Sequence, residues 1–352
     1  MKREAFYDGK ELEPLEALDL QKCDSIDDLV RSMSRTSFGG RRVGEAADVL
    51  EAMIKDKDCF RVLTLSGALT PAKQSLVICE MIDRGWINAI VSTGALICHG
   101  LVEGVGMKHY KADPKTSDAD LFKKGYNRIY DTIEPETNLN NLTKIIQNVF
   151  KDQGPKVISS FQFCEFIGQY LAENTSHNQR AILKSAWEKR VPIYIPAFTD
   201  SELAIDFLLL NVLNTKIDTL DDLDKINPKN FSFLVNPMVD LWDFTFRISK
   251  VKKTGIFTVG GGVPRNWAQQ VAPMVDYIRN NVDWKIPIIR YSYGIRICPE
   301  PQFWGGLSGC TYSESVSWGK FEADALTAEV FTDATIVFPF IVKAVMERID
   351  SQ

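Results

Sequence analysis

The chain is poor in histidine and has no paired cysteines. Among 352 residues only His99, His109 and His177 carry imidazoles. Seven cysteines stand apart at positions 23, 59, 79, 98, 164, 298 and 310. No two form a CxxC pair and their number is odd. This reads as reduced, mostly buried thiols rather than a disulfide framework. With His and Cys unclustered, no structural zinc and no other metal is expected. No apolar run approaches the roughly 18 residues of a membrane span, so no membrane contact is expected. The N-terminal stretch MKREAFYDGKELEP has no apolar h-region, so no signal peptide is expected and the cytoplasm is the expected compartment. The dinucleotide fingerprint GxGxxG is missing, and there is no internal repeat or low-complexity tract. Net charge is -5, which disfavours nucleic acid and tolerates cationic ligands.

What is present is the make-up of a folded α/β chain. Apolar residues form 45% and charged residues 25% of it, enough for a large core. Asp24 to Asp28 offers capping groups ahead of Leu29 and Val30. Ser37-Phe38-Gly39-Gly40 reads as a break. Ala46, Val49, Leu50, Met53 and Ile54 recur at helical spacing. A strand-turn-helix rhythm then begins. Strands are expected over 59–65, 87–92, 191–196, 255–259, 286–292 and 329–332. The fifth is weakened by Pro287, which cannot donate to a ladder. Strands alternating with helices predict a Rossmann-like parallel sheet with helices on both faces, as a single large domain over 1–352. A helical N-terminal extension of about 1–55 precedes it. Residues 103–140, rich in Lys, Asp and Tyr, read as a long surface excursion or a lid.

Small and polar residues follow several strands, where ligands bind in open α/β sheets. Ser66-Gly67-Ala68, Thr93-Gly94-Ala95 and Gly260-Gly261-Gly262 each let backbone amides approach a phosphate. Each alone is as well explained by a tight turn; three together make a nucleotide site an even proposition. Lys320 follows Trp318-Gly319 and precedes Phe321. A lysine in an apolar, aromatic setting is a poised imine-forming nucleophile, and an indole face suits a cation. On composition alone a surface lysine beside a core tryptophan is the commoner case, since lysines are mostly exposed. Asp200, Asp206, Glu314 and Asp333 are candidate partners for a ribose or an ammonium group, or plain caps. His99 is an acid-base candidate or a partner of the Thr93 turn.

Taken together, Thr258 to Pro264 and Glu314 to Lys320 resemble the two signature stretches of the deoxyhypusine synthase family. Thr332 to Pro339 follows at the family's spacing, and the likeness covers roughly residues 20–350. The resemblance implies NAD as cofactor, a polyamine as substrate and a homotetramer with sites at a dimer interface. The butylamine part of spermidine would pass through an imine on Lys320 to an acceptor amine. Trp318 would cover the polyamine, and Glu314 and Asp206 would hold its ammonium groups. Ser66, Gly67, Thr70, Thr93, Gly94, Asp200, Gly261, Asp333 and Ala334 would line the NAD site.

The chain departs from the family's eukaryotic pattern at three places. Asn266 stands where a histidine is expected, and His99 where an acidic residue is expected. The Asp-rich loop before Glu314 reads Phe303-Trp304-Gly305-Gly306-Leu307-Ser308. Asn266 and Ser308 then become substrate-side candidates. These changes resemble the bacterial branch, which implies a small acceptor such as putrescine, giving homospermidine. The competing expectations are a true deoxyhypusine synthase acting on a protein lysine, and a non-catalytic NAD-binding regulator. An ordinary Rossmann dehydrogenase is disfavoured by the missing fingerprint.

Overall fold

The computed structural model describes residues 8–151, 153, 156–213, 219 and 226–351. Ser25 opens the first helix, Ile26–Ser34, through a capping box. Its hydroxyl accepts from the Asp28 amide, and the Asp28 carboxylate accepts from the Ser25 amide in return. The second helix, Phe38–Lys55, begins where a break was expected. Gly39 and Gly40 are poor helix formers in isolation, but Val43, Ala46, Val49, Leu50 and Met53 bury one face and override that preference.

Six strands form the main sheet: β1 (Cys59–Leu65), β2 (Ala89–Ser92), β3 (Ile193–Tyr194), β4 (Lys253–Val259), β5 (Tyr291–Ile297) and β6 (Phe321–Val330). They run parallel in the order β6-β5-β4-β1-β2-β3. This is the order of dinucleotide-binding sheets, with its switch point between β1 and β4. The expected α/β fold is therefore the observed one. Two strands begin well away from expectation. β5 begins five residues later than the 286–292 run, because residues 283–290 carry three charges, a proline and no ladder partner. β6 begins eight residues earlier than 329. Its first residue pairs with Tyr291, and the chain then bulges so that Leu326 faces Tyr293. Exposed Glu322 and Asp324 occupy the bulge and mask the strand pattern.

Alternate strand residues divide the core between two faces. On one face Leu63, Leu65, Ile90, Phe257, Ile295 and Val330 meet helices Phe38–Lys55, Ser75–Asp83, Gly94–Gly104 and Ala334–Asp350. On the other, Val62, Val91, Ile256, Tyr291 and Phe321 meet helices Pro237–Ile248 and Gly262–Val282. Each fully buried aliphatic side chain contributes roughly 1.5–3 kcal/mol. Arg348, buried on the last helix, meets Asp27, Asp48 and Glu51 and ties the N-terminal helices to the body.

The 103–140 excursion is ordered. It holds a small antiparallel sheet of Tyr110–Lys111, Tyr126–Ile129 and Thr132–Pro135. Its buried side supplies Ile133 and Glu134 to the body of the protein.

Candidate functional site

At the switch point the chain ends of β1 and β4 interlock. The Ser66 amide donates to the Val259 carbonyl at 3.1 Å, and the Gly261 amide donates to Ser66 Oγ at 2.8 Å. Gly260 has φ +88, and a Cβ there would lie 2.2 Å from Ser66 Oγ. A Cβ on Gly261 would lie 2.5 Å from Ser308. Only glycine permits this closeness. Gly67, at φ +79, opens onto free space. Thr93 lies alongside, donating its amide to the Leu65 carbonyl, and begins helix Gly94–Gly104 without capping it by its side chain. First-turn amides of such a helix are suited to an anion. Thr70 reaches this helix through a 2.9 Å hydrogen bond to the Leu96 carbonyl. The edge thus offers a close-approach glycine turn and an uncapped helix start, a donor set that fits a dinucleotide's pyrophosphate. Asp333 caps helix Ala334–Asp350 through Thr335, and Asp200 lies exposed in the loop after β3.

Lys320 sits just ahead of β6. Thr311 caps the short helix Tyr312–Ser317, accepting from the Glu314 amide, and Gly319 at φ +65 turns the chain out of it. The Lys320 side chain is 7% exposed and donates from Nζ to Asn266 Oδ1 at 2.9 Å. Asn266 stands in the first turns of the helix that starts at the glycine turn, so that turn and the lysine share one element. Desolvation lowers the lysine's pKa, the Cys310 thiol opposes this, Arg265 adds to it and Glu314 opposes it. Trp318 is 63% exposed, its ring centre 5.8 Å from Nζ. The arrangement presents an amine biased toward its neutral form beside an open indole face.

Sequence reasoning missed Arg296, Glu329 and Arg265. Arg296 is buried in β5, pairs with Glu329 and donates to the Ser308 carbonyl, while Glu329 accepts from the Tyr312 amide. These contacts pin the 302–312 loop beside the glycine turn. Arg265 is 2% exposed and lies 5.2 Å from the Tyr312 ring centre. The available signal was a charged residue inside an apolar strand, as in the run Tyr291–Ile297.

Thus Ser66, Gly261, Asn266, Ser308, Glu314, Trp318 and Lys320 gather on one side. His99 and Asp206 do not join them within one chain. His99 stands on helix Gly94–Gly104, whose core residues belong to the opposite face of the sheet. Asp206 is buried on helix Glu202–Leu213. Burial raises its pKa, the Thr143 hydroxyl opposes that, and Glu202 adds to it. Burial, and after it the charges of Glu202, Asp206 and Glu134, push the Cys98 thiol pKa well up. His99 Nδ1 lies 2.6 Å from Glu134 Oε2, and His109 lies between Glu134 and Glu103. Burial disfavours charge on His109, but the two carboxylates outweigh it and hold its pKa at about 9. Among the described residues no helix is long and apolar enough to cross a membrane.

The deoxyhypusine synthase family model matches residues 28–345. "Probable deoxyhypusine synthase 2" of Methanosarcina mazei is 33% identical over 326 residues, covering 92% of this chain and 87% of the relative. "Deoxyhypusine synthase-like protein" of Chlorobaculum parvum is 30% identical over 330 residues, covering 94% and 88%. A solved structure named "putative deoxyhypusine synthase", from Entamoeba histolytica, superposes with a TM-score of 0.59 at 15% identity, covering 95% of this chain and 97% of that one. That likeness is one of fold.

Proposed function

Because the chain belongs to the deoxyhypusine synthase family of NAD-dependent aminobutyl transferases, we propose that it moves the butylamine part of spermidine, or of a related polyamine, to a small acceptor amine such as putrescine. The product is then homospermidine. The single observation that carries this reading is the buried Lys320, held by a neutral amide and lowered in pKa, beside an open tryptophan.

Bound NAD would supply hydride acceptance from the carbon beside the donor's secondary amine, leaving an imine, and the return of that hydride at the end. Ser66, Gly67, Thr70, Thr93, Gly94, Asp200, Gly261, Asp333 and Ala334 are the residues proposed to hold it. The unprotonated Lys320 adds to the imine carbon. The old C–N bond breaks, diaminopropane leaves with the proton shed by Nζ, and a four-carbon imine remains on the lysine. An acceptor amine adds to the same carbon and Lys320 departs, recovering its proton. The reaction is redox-neutral overall. Asn266 accepts from Nζ and fixes its direction without the charge that would favour the ammonium form. Trp318 offers its face to the polyamine's cationic chain, and Glu314 offers a carboxylate to an ammonium group. Ser308 lines the substrate side.

His99 and Asp206 face away from Lys320 across the sheet. Their part in one site requires a second chain, as in the homotetramer implied by the family. Exposed Phe303, Trp304, Leu307 and Val316 near the lysine offer apolar surface for such a contact. In that setting His99 would handle a proton and Asp206 an ammonium group.

A second reading is a deoxyhypusine synthase with a protein lysine as acceptor, favoured by the names of the archaeal relatives. Bulky Phe303 and Trp304 and the absence of carboxylates from 303 to 308 favour the small amine. A non-catalytic NAD-binding regulator has no use for a buried lysine of lowered pKa. The test is borohydride trapping with NAD and spermidine, read by intact and peptide mass spectrometry. A butylamine adduct on Lys320, absent from Lys320→Ala, is expected. Putrescine should then discharge the adduct. Discharge only by a protein lysine would favour the second reading, and no adduct with any polyamine would favour the regulator.

A further inference from the structure

We propose that His99, His109 and Glu134 form a binding site for one divalent transition-metal ion of zinc-like preference. Two of the chain's three histidines converge on one carboxylate. His99 Nδ1 lies 2.6 Å from Glu134 Oε2 and His109 Nε2 lies 3.6 Å from Glu134 Oε1. One ligand atom from each residue falls within 4.8 Å of the others. The side chains of Glu134 and His109 are 1% and 0% exposed.

These atoms are poorly served by the protein. His99 Nδ1, His109 Nε2 and Glu134 Oε1 are buried and none makes an aligned hydrogen bond. Orphaned polar atoms in a dry interior are costly, and here three of them belong to one cluster. A cation bonded to two imidazoles and a carboxylate satisfies all three. A tetrahedral ion holds such ligands at about 2.0–2.2 Å, so side-chain shifts on the order of 1 Å complete the site and leave a fourth position open.

The outer groups and the backbone support the same reading. His109 Nδ1 lies 3.4 Å from Glu103 Oε1, and Glu103 Oε2 accepts from Ser75 Oγ at 2.8 Å. Lys73 also pairs with Glu103. A carboxylate behind a ligating histidine fixes its tautomer and ring direction. His99 and Glu103 lie one turn apart on helix Gly94–Gly104. Tyr110 pairs with Ile133 in the small antiparallel sheet, which sets His109 and Glu134 opposite each other across the ladder. His99 thus stands on a helix and Glu134 on a sheet, with His109 one residue ahead of the strand that pairs with it. The site does not depend on the transferase reading.

The full-length protein, stripped with chelator and dialysed, is titrated with Zn²⁺ against a chromophoric chelator, and with Co²⁺ under visible spectroscopy. Neither polyamine nor NAD is present, so failure here is distinct from failure of the transferase reading. One ion per chain is expected, with Kd below about 1 µM, and d–d bands of a four- or five-coordinate Co²⁺. His109→Ala and Glu134→Gln should weaken binding by about 100-fold or more, and His177→Ala should not. Glu103→Gln, which removes no ligand, should weaken it about 10–100-fold and serves where a ligand variant fails to fold. The absence of stoichiometric binding in wild type would leave a charged hydrogen-bonded cluster and overturn the proposal. Binding undiminished in the folded variants would do the same, by placing the ion elsewhere.

Discussion

Lys320 Nζ donates to Asn266 Oδ1 across 2.9 Å, and that contact joins the catalytic candidate to the helix that starts at the glycine turn. The partner is neutral, so no carboxylate bonds the ammonium directly, and Glu314 acts on it only from a distance. Asn266→Asp places a negative charge at that distance and favours the ammonium form. Imine formation on Lys320 at pH 7 should fall about 10–100-fold, one to two pKa units' worth of lost free amine. Its pH profile should move upward, with activity recovered at alkaline pH. Asn266→Ala should slow the reaction without that alkaline shift. Equal profiles for wild type and Asn266→Asp would remove the amide from the mechanism.

The same desolvation makes a stability prediction. A lysine whose folded pKa lies below its unfolded value binds its proton less well when folded. Below the folded pKa it therefore opposes folding, and the opposition fades as pH rises toward the unfolded value of 10.5. Lys320→Met keeps the volume and removes the amine. Its Tm at pH 7 should equal or exceed that of wild type by a few degrees, while adduct formation is abolished. A marked fall in Tm would show that the amine holds the fold.

Gly260 combines φ +88 with a Ser66 Oγ that a Cβ would approach to 2.2 Å. Gly260→Ala should destabilise the protein by about 1–3 kcal/mol. It should also weaken NAD binding, followed by calorimetry, because the turn must open. Adding Ser66→Gly removes the clash but not the backbone strain. The double variant should recover part of the stability and not all of it. Full recovery would assign the whole cost to the clash.

The sheet was legible because Cys59–Leu65 and Lys253–Val259 are short apolar strands ending in small residues. β6 was not, since Glu322 and Asp324 fill a bulge that only pairing with β5 creates. Lys320 was legible from its tract, but its hydrogen bond to Asn266 joins residues 54 apart, and no local pattern encodes it. The His99, His109 and Glu134 cluster was hidden for the same reason. Its members meet only once 103–140 folds as a sheet, and read singly they look like isolated polar residues. His99 and Asp206 were assigned to the lysine's site by family order. The sheet that separates them is a tertiary fact.

Arg348 gives the last prediction. Its side chain is wholly buried, and it faces Asp27, Asp48 at 2.7 Å and Glu51 at 3.1 Å. Burial disfavours its charge, but the carboxylates outweigh that and raise its pKa. Removing the guanidinium leaves these acids close together without their shared cation, the costly way to break a buried pair. Arg348→Leu should lose about 3–5 kcal/mol of stability, seen as a lower Tm. The loss should be greater at pH 7 than at pH 4, where protonation relieves the carboxylate repulsion. Proteolysis should then cut first within residues 8–55, since these helices lose their tie to the last one. A Tm within a degree of wild type would mean that hydrophobic packing alone holds the N-terminal helices in place.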